Sequence, residues 1–380
     1  MRIAFIGQKG IPTVAGGVER YVEEVSTRLV AMGHEVTVYV RNNYTDRKLR
    51  EFKGVRLVHL PSIPTKNLDA ISHTFLATMH ALFSRYDVVH YQAIGPTSLA
   101  WILKLFKSRT AVIATFQCQD YFHQKWGWLA QAYLRFGERM TCTQTDRTIV
   151  VSQILKDYAR VAYQCEAVCI PNGADVELTS KTQALGRWEL KEKKYILSVG
   201  RLIRHKGIRY LIEAFKHLED RSKIPNGFKL VIVGDGFHTD DYVDELKRLA
   251  GGRRNIVFTG TQNNGTLQQL FSHAYCFVQP SESEGLSLAL LEAMAYGLAP
   301  IVSDIPENAQ VVKESGIIFK SKDVADLEQK LASVINQPDE TERLGQAAKR
   351  AAQEKYGWDT IVKQIMEVYQ STIEVKRRKK

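Results

Sequence analysis

The 380-residue sequence predicts an α/β protein built as two Rossmann-like, doubly wound units with parallel sheets. Three observations carry that prediction. The chain is too long for one ordinary core and suits two units of about 180 residues each. Short β-branched runs alternate with longer segments of helical period, at intervals that fit strand–helix–strand units. The rhythm then restarts once, after the polar stretch Ser180–Lys194.

In chain order, the strand candidates of the first half are Arg2–Gly7, Glu35–Val40, Val55–Leu60, Asp87–Tyr91, Ala111–Phe116 and Thr148–Ser152. Those of the second half are Tyr195–Gly200, Phe228–Gly234, Asn255–Gly260, Cys276–Pro280 and Ala299–Ser303. The expected division is 1–185, 186–357, and a last helical stretch with a basic tail over 358–380. That stretch, about Trp358–Val375, exceeds what the second sheet needs and is expected to cross back to the first unit.

Composition narrows the function classes. Hydrophobic residues at 44% and charged residues at 24% fit a globular protein. No segment approaches the roughly 20 apolar residues of a membrane span. Met1 is followed directly by a strand-like Arg-Ile-Ala-Phe-Ile-Gly run without a small-residue cleavage site, so a cytoplasmic location is expected. Five cysteines lack paired zinc spacing and read as reduced, mostly buried thiols; no metal is expected.

Lys and Arg number 52 against 41 Asp and Glu, a formal charge of +11. Such an excess favours anionic partners: phosphates, nucleic acid or an acidic membrane face. The basic residues are dispersed and no nucleic-acid-binding module accompanies them, so nucleic acid is not an expected partner. The apolar-basic stretch Trp101–Lys107 and the tail Lys376–Lys380 suit an anionic membrane surface, which would make the protein peripheral there. A core-packed helix and a solvated terminus account for the same residues.

Four segments carry chemistry. Gly16-Gly17 opens a helix after the first strand, where backbone amides and the helix dipole favour an anion, or where glycines simply make a tight turn. The loop does not match G-x-G-x-x-G, and Val40-Arg41 ends the second strand where an acid would hold a ribose, so a nicotinamide oxidoreductase is disfavoured. Gly200-Arg201-Leu202 ends a strand and Lys206-Gly207 opens the next helix. An arginine fork and a lysine point charge beside a helix N-terminus suit a diphosphate, as they would suit a solvated loop.

The most specific segment is Pro280–Met294. Glu284 follows a strand, and Gly285, Leu286 and Ser287 present amides at a helix N-terminus. Glu292 lies within an apolar run of leucine and alanine, where a carboxylate is costly without a partner, and sugar hydroxyls are natural partners. The plainer alternatives are a capping acid at Glu284 and a surface acid at Glu292.

Taken together, these residues resemble the retaining glycosyltransferases of the GT-B fold, family 4 (group 1). Glu284 and Glu292 match that family's glutamate pair, and Gly200-Arg201-Leu202 with Lys206-Gly207 matches its diphosphate loop. Gly16-Gly17-Val18-Glu19-Arg20 matches its N-terminal glycine motif, and Pro171–Asp175 is similar to its Asn-Gly-Val-Asp signature. The segments Val89–Gln92 and Gln124–Gly127 look closest to bacterial rhamnosyl- or mannosyl-type members.

The resemblance implies two facing units with a cleft between them: an N-terminal acceptor domain and a C-terminal nucleotide-sugar domain. It implies transfer of a hexose or deoxyhexose from a UDP-, GDP- or dTDP-sugar to a glycan or lipid-linked acceptor in cell-surface polysaccharide synthesis, with retained configuration. No cofactor or metal is implied, and the chain has no Asp-x-Asp. Arg201 and Lys206 would neutralise the leaving diphosphate, and the phosphate itself would take the acceptor's proton. Glu284 would contact the transferred sugar, with the amides of Gly285, Leu286 and Ser287 beside it, and Glu292 would bind the ribose. Gly200, Gly16 and Gly17 would complete the donor site.

One position departs from the family pattern. Where many relatives carry a histidine after the strand Ala111–Phe116, this chain has Gln117, which can hydrogen-bond a sugar hydroxyl but cannot become cationic. Asp120, His123 and His90 are further sugar or acceptor candidates, each also readable as a loop or core-edge residue. The contrasting function is a noncatalytic sugar-nucleotide or glycan-binding partner of a glycan assembly complex.

Overall fold

The computed structural model describes residues 1–14, 16–119, 121, 127–236 and 239–378. It comprises two compact units, Met1–Asn172 with Trp358–Lys380, and Gly173–Gly357.

The first unit runs β1 (Arg2–Ile6), α1 (Gly17–Ala31), β2 (Glu35–Arg41), β3 (Glu51–Phe52), β4 (Val55–Leu60), α2 (Asp69–Phe83) and β5 (Val88–Gln92). It continues with α3 (Ile94–Thr97), α4 (Ala100–Phe106), β6 (Ala111–Phe116), α5 (Trp128–Thr143), β7 (Arg147–Val150), α6 (Gln153–Tyr163) and β8 (Val168–Cys169). Its eight strands lie in the order β3-β4-β2-β1-β5-β6-β7-β8. All pairings are parallel except β3 with β4. Ile3, Ala4, Phe5 and Ile6 are all fully buried. A parallel sheet covered on both faces requires such unbroken apolar runs.

The second unit runs β9 (Tyr195–Val199), α7 (Ile208–Asp220), β10 (Lys229–Val233), α8 (Asp240–Ala250), β11 (Ile256–Gly260), α9 (Asn264–His273) and β12 (Cys276–Gln279). Then come α10 (Leu288–Ala295), β13 (Ala299–Ser303), α11 (Pro306–Val312), β14 (Ile317–Phe319), α12 (Val324–Asn336) and α13 (Pro338–Lys355). The sheet order is β11-β10-β9-β12-β13-β14, all parallel. In α7, Ile208, Leu211, Ile212, Phe215 and Leu218 are buried. Their i, i+3, i+4 spacing makes one apolar stripe, worth roughly 2 kcal/mol per side chain covered. Side-chain caps start α6, α9 and α12, where Ser152, Asn263 and Asp323 accept from Leu155 N, Thr266 N and Asp326 N.

The last helix, α14 (Trp358–Arg378), belongs to the first unit. Trp358 packs edge-on to Tyr21 with ring centroids 5.9 Å apart, and the Tyr369 hydroxyl bonds His90 Nδ1 at 2.7 Å. Lys376 Nζ reaches Asp146 and the Thr110 carbonyl, each at 2.6 Å.

The boundary lies at Asn172/Gly173, not at 185/186. Residues 173–185 join the second unit because their backbone is tied there: Thr179 N donates to Ser272 Oγ at 3.2 Å and Ala184 N to Gln269 Oε1 at 2.8 Å. None of the five cysteines is in a disulfide; Cys165 and Cys276 are buried and the other three half-buried. Among the described residues, no helix is long and apolar enough to cross a membrane.

Candidate functional site

In each sheet the winding direction reverses once, between β9 and β12 in the second unit and between β1 and β5 in the first. Loops leaving the carboxyl ends of strands diverge at such a reversal and leave a crevice there.

In the second unit, the loops after β9 and β12 carry Gly200–Lys206 and Pro280–Ser287. Gly207 has φ +67°, and a Cβ there would sit 1.9 Å from the Pro280 carbonyl oxygen, so only glycine permits this approach. The same approach lets Glu282 N donate to the His205 carbonyl at 2.7 Å. Lys206 is thereby delivered to Glu284, with Nζ–Oε1 at 2.5 Å.

Only 9% of the Glu284 side chain and 19% of the Lys206 side chain are exposed. Ser281 Oγ donates to the same carboxylate oxygen at 2.6 Å. Burial alone would raise the Glu284 pKa. The Lys206 charge, the hydrogen bonds from Lys206 and Ser281, and the His205 charge outweigh it and hold the carboxyl below the usual glutamate value.

Behind this pair lies a chain of buried polar groups. Ser287 Oγ donates to Gln279 Oε1 at 2.6 Å, Gln279 Nε2 to Asn308 Oδ1 at 2.8 Å, and Asn308 Nδ2 to Ser303 Oγ at 3.0 Å. Ser303 Oγ donates to the Ser281 carbonyl at 2.5 Å. Each link is satisfied, so the loop bearing Glu284, Gly285, Leu286 and Ser287 is held at both ends. Ser287 also accepts from Leu290 N at 3.3 Å and so caps α10.

The other second-unit candidates fall on the same elements. Gly200 N donates to the Val233 carbonyl at 2.9 Å. Arg201 is exposed and has no side-chain partner among the described residues. Glu292 is half-buried one turn into α10. Further charges line this edge: Arg204 forks onto Glu245, with its closer contact at 2.6 Å, and Lys322 meets Glu282 at 3.1 Å. These charges and the buried amide chain were not among the sequence candidates. Ser281, three residues before Glu284, was the only local signal, because the remaining partners are distant in sequence.

In the first unit, Gly16 has φ +115° and a Cβ there would meet Glu19 Oε2 at 2.0 Å. Gly17 begins α1. Glu19 accepts from Lys9 N at 3.0 Å and Glu23 from Thr13 N at 2.6 Å. The helix therefore holds the glycine loop with its own acids, and the Glu19 carboxylate stands beside the helix N-terminus.

Gln117 is buried, and its Nε2 donates to Gln92 Oε1 at 3.3 Å; Gln92 Nε2 is buried with no partner among the described residues. Asp120, His123 and most of Gln124–Gly127 lie outside the described residues.

His90 requires a correction. It is fully buried, with Nδ1 on the Tyr369 hydroxyl and Nε2 on Thr115 Oγ1, both at 2.7 Å. Both ring nitrogens are spent inside the protein, and burial lowers its pKa to about 3. It is a packed neutral histidine that joins α14 to the sheet and not a sugar ligand.

Two family models match successive stretches of the chain. Residues 182–351 match the family described as glycosyl transferases group 1, and residues 15–178 match glycosyltransferase family 4. An uncharacterized glycosyltransferase of Methanocaldococcus jannaschii is 26% identical, with all of both chains covered. The fold is similar to that of sucrose-phosphate synthase from Thermosynechococcus elongatus, with a TM-score of 0.84 at 21% identity over 98% of this chain and 99% of that one. It is also similar to that of Anabaena HepE in complex with UDP-glucose, with a TM-score of 0.80 at 19% identity over 98% and 100%.

Proposed function

Because the chain belongs to the group 1, family 4 glycosyltransferases of the GT-B fold, we propose that it moves a hexose or deoxyhexose from a nucleoside-diphosphate sugar onto a glycan or lipid-linked acceptor in cell-surface polysaccharide synthesis. The observation that carries the reading is the Lys206–Glu284 pair, held by a satisfied polar chain at the crevice of the second sheet.

Breaking the donor's sugar–phosphate bond puts developing charge on the diphosphate. Arg201, which has no described protein partner, and Lys206 supply the opposing charge that a divalent cation supplies in other enzymes. Glu284 orients the transferred sugar, with Gly285, Leu286 and Ser287 beside it. Glu292 takes the ribose hydroxyls and Gly200 lets the backbone approach the phosphates. In the first unit, Gly16, Gly17 and Gln117 offer polar groups of their own at the carboxyl edge of that unit's sheet.

Departure of the diphosphate and attack by the acceptor hydroxyl on the same face retain the anomeric configuration. The leaving phosphate takes the acceptor's proton, so no separate base is needed. The UDP-glucose complex of HepE supports a UDP-sugar as the first donor to try. Rhamnosyl or mannosyl transfer follows the sequence resemblance, and action at the cytoplasmic face of a membrane is the expected setting.

The test is a thermal-shift panel of UDP-, GDP- and dTDP-sugars on wild type and Glu292→Ala, followed by NMR of the product's anomeric proton. One nucleotide class should raise the melting temperature of wild type and not of the variant. No shift from any class, or an inverted product, overturns the proposal.

A further inference from the structure

Among the described residues, the exposed large apolar side chains are distributed unevenly: all but Leu178 and Ile318 belong to the first unit. The six aromatic ones, Phe75, Phe83, Trp101, Phe106, Trp128 and Phe136, all do. Single exposed apolar residues are ordinary, whereas a cluster of them is not.

Three of these residues gather at the amino-terminal edge of the first sheet, the edge opposite Gly16 and Gln117. Phe83 ends α2 and is 83% exposed; Leu105 and Phe106 end α4 and are 67% and 65% exposed. The two helix ends are tied together. Lys107 Nζ donates to the Ser84 carbonyl at 2.7 Å, and Thr110 Oγ1 to the Tyr86 carbonyl at 2.8 Å. From the other face of the sheet, the end of α14 reaches the same place through Lys376 Nζ and the Thr110 carbonyl, 2.6 Å apart.

The same edge is basic. Arg85 and Arg109 precede β5 and β6, Arg147 begins β7, and Arg377 and Arg378 end α14; all five are exposed and none has a side-chain partner among the described residues. Glu374 is exposed one turn before Arg377 and Arg378, while two other acids on this edge are already committed. Asp87 accepts from Arg2 N at 2.7 Å, and Asp146 takes Val112 N at 2.8 Å and Lys376.

We propose that this edge is a docking surface for an anionic lipid bilayer. Phe83, Leu105 and Phe106 enter the headgroup boundary, and the surrounding guanidiniums keep their charge at the phosphate level while their stems lie along apolar surface. A second copy of the chain is disfavoured as occupant, because it would oppose the same five cations to themselves. An anionic surface draws each of them, at about 1 kcal/mol or roughly fivefold in partition per basic residue.

The test is co-sedimentation of the full chain with vesicles of phosphatidylcholine, or of phosphatidylcholine and phosphatidylglycerol in equal parts, with no sugar nucleotide present. Failure of the proposed transferase activity would therefore leave this result untouched. Binding is expected on the anionic vesicles only and should weaken with salt. Arg377→Gln with Arg378→Gln should lower it about 25-fold. Phe83→Ser with Leu105→Ser and Phe106→Ser should abolish it while the melting temperature holds, since these side chains are already solvated. Equal binding to both vesicles, no binding, or unchanged binding by either variant overturns the proposal. So does a dimer in light scattering that the serine variant dissolves, which would make the face a protein interface.

Discussion

Replacing Lys206 by alanine removes the cation from a carboxylate that stays where it is. Glu284 has little exposure and would keep one charged-acceptor hydrogen bond, from Ser281. Breaking a buried ion pair from one side costs about 3–5 kcal/mol, and the partial exposure of Lys206 argues for the lower end, about 3 kcal/mol. For a unit of this size that is roughly a 6–12 °C fall in melting temperature at pH 7. The penalty has a direction in pH. In wild type the carboxyl titrates below the usual 4.5, so the stability it contributes is present at neutral pH and is lost as pH falls through the folded-state value. In Lys206→Ala the two Lys206 contributions are gone while burial stays, so the carboxyl should titrate higher than in wild type and acid should relieve the buried charge. The gap between the two proteins should therefore be largest at neutral pH and close on acidification. Calorimetry of both proteins without ligand checks this, with Glu284→Gln in the Lys206→Ala background expected to recover part of the loss. A Lys206→Ala melting temperature within about 1 °C of wild type at pH 7, or a deficit that persists undiminished in acid, would refute the reasoning.

Asn308→Ala should cost about 1–3 kcal/mol by leaving Gln279 Nε2 without its acceptor. It should also raise the donor KM more than it lowers kcat, which steady-state kinetics would show. Tyr369→Phe should cost a similar amount by stranding His90 Nδ1. The His90 imidazole, with its pKa pushed down to about 3, should show no NMR titration between pH 5 and 8 in the wild-type protein.

Much of this architecture was legible because parallel strands buried on both faces leave unbroken apolar runs, and every strand expected from them corresponds to one of β1, β2, β4–β7 or β9–β13. The strands that escaped notice, β3, β8 and β14, have two or three residues, too few for any period to register. The boundary was misplaced for a related reason. Polarity marks Ser180–Lys194 as exposed, but its neighbours belong with the second unit through hydrogen bonds to residues some 85–93 positions away. Residue types at the candidate site were readable from motif spacing. Their pairing was not: Lys206 and Glu284 are 78 residues apart, and Gln279 and Asn308 are 29 apart, brought together only by the sheet. His90 lies near the carboxyl end of its run, where a ligand would be expected, but it sits mid-strand in β5, and Thr115 on the next strand with Tyr369 on the last helix shows that both nitrogens are spent.

That last helix gives the chain a temporal order. The second unit is continuous, whereas the first is interrupted by it and closes only when residues 358–378 arrive, the His90–Tyr369 contact spanning 279 positions. A ribosome therefore releases the middle of the protein able to fold before its beginning is finished. Any message that ends early yields a first unit lacking its partner for Tyr21, His90 and Asp146, with apolar surface open to proteases and chaperones. Completion of the first unit thus waits until the chain has been made past residue 376, where Lys376 meets Asp146.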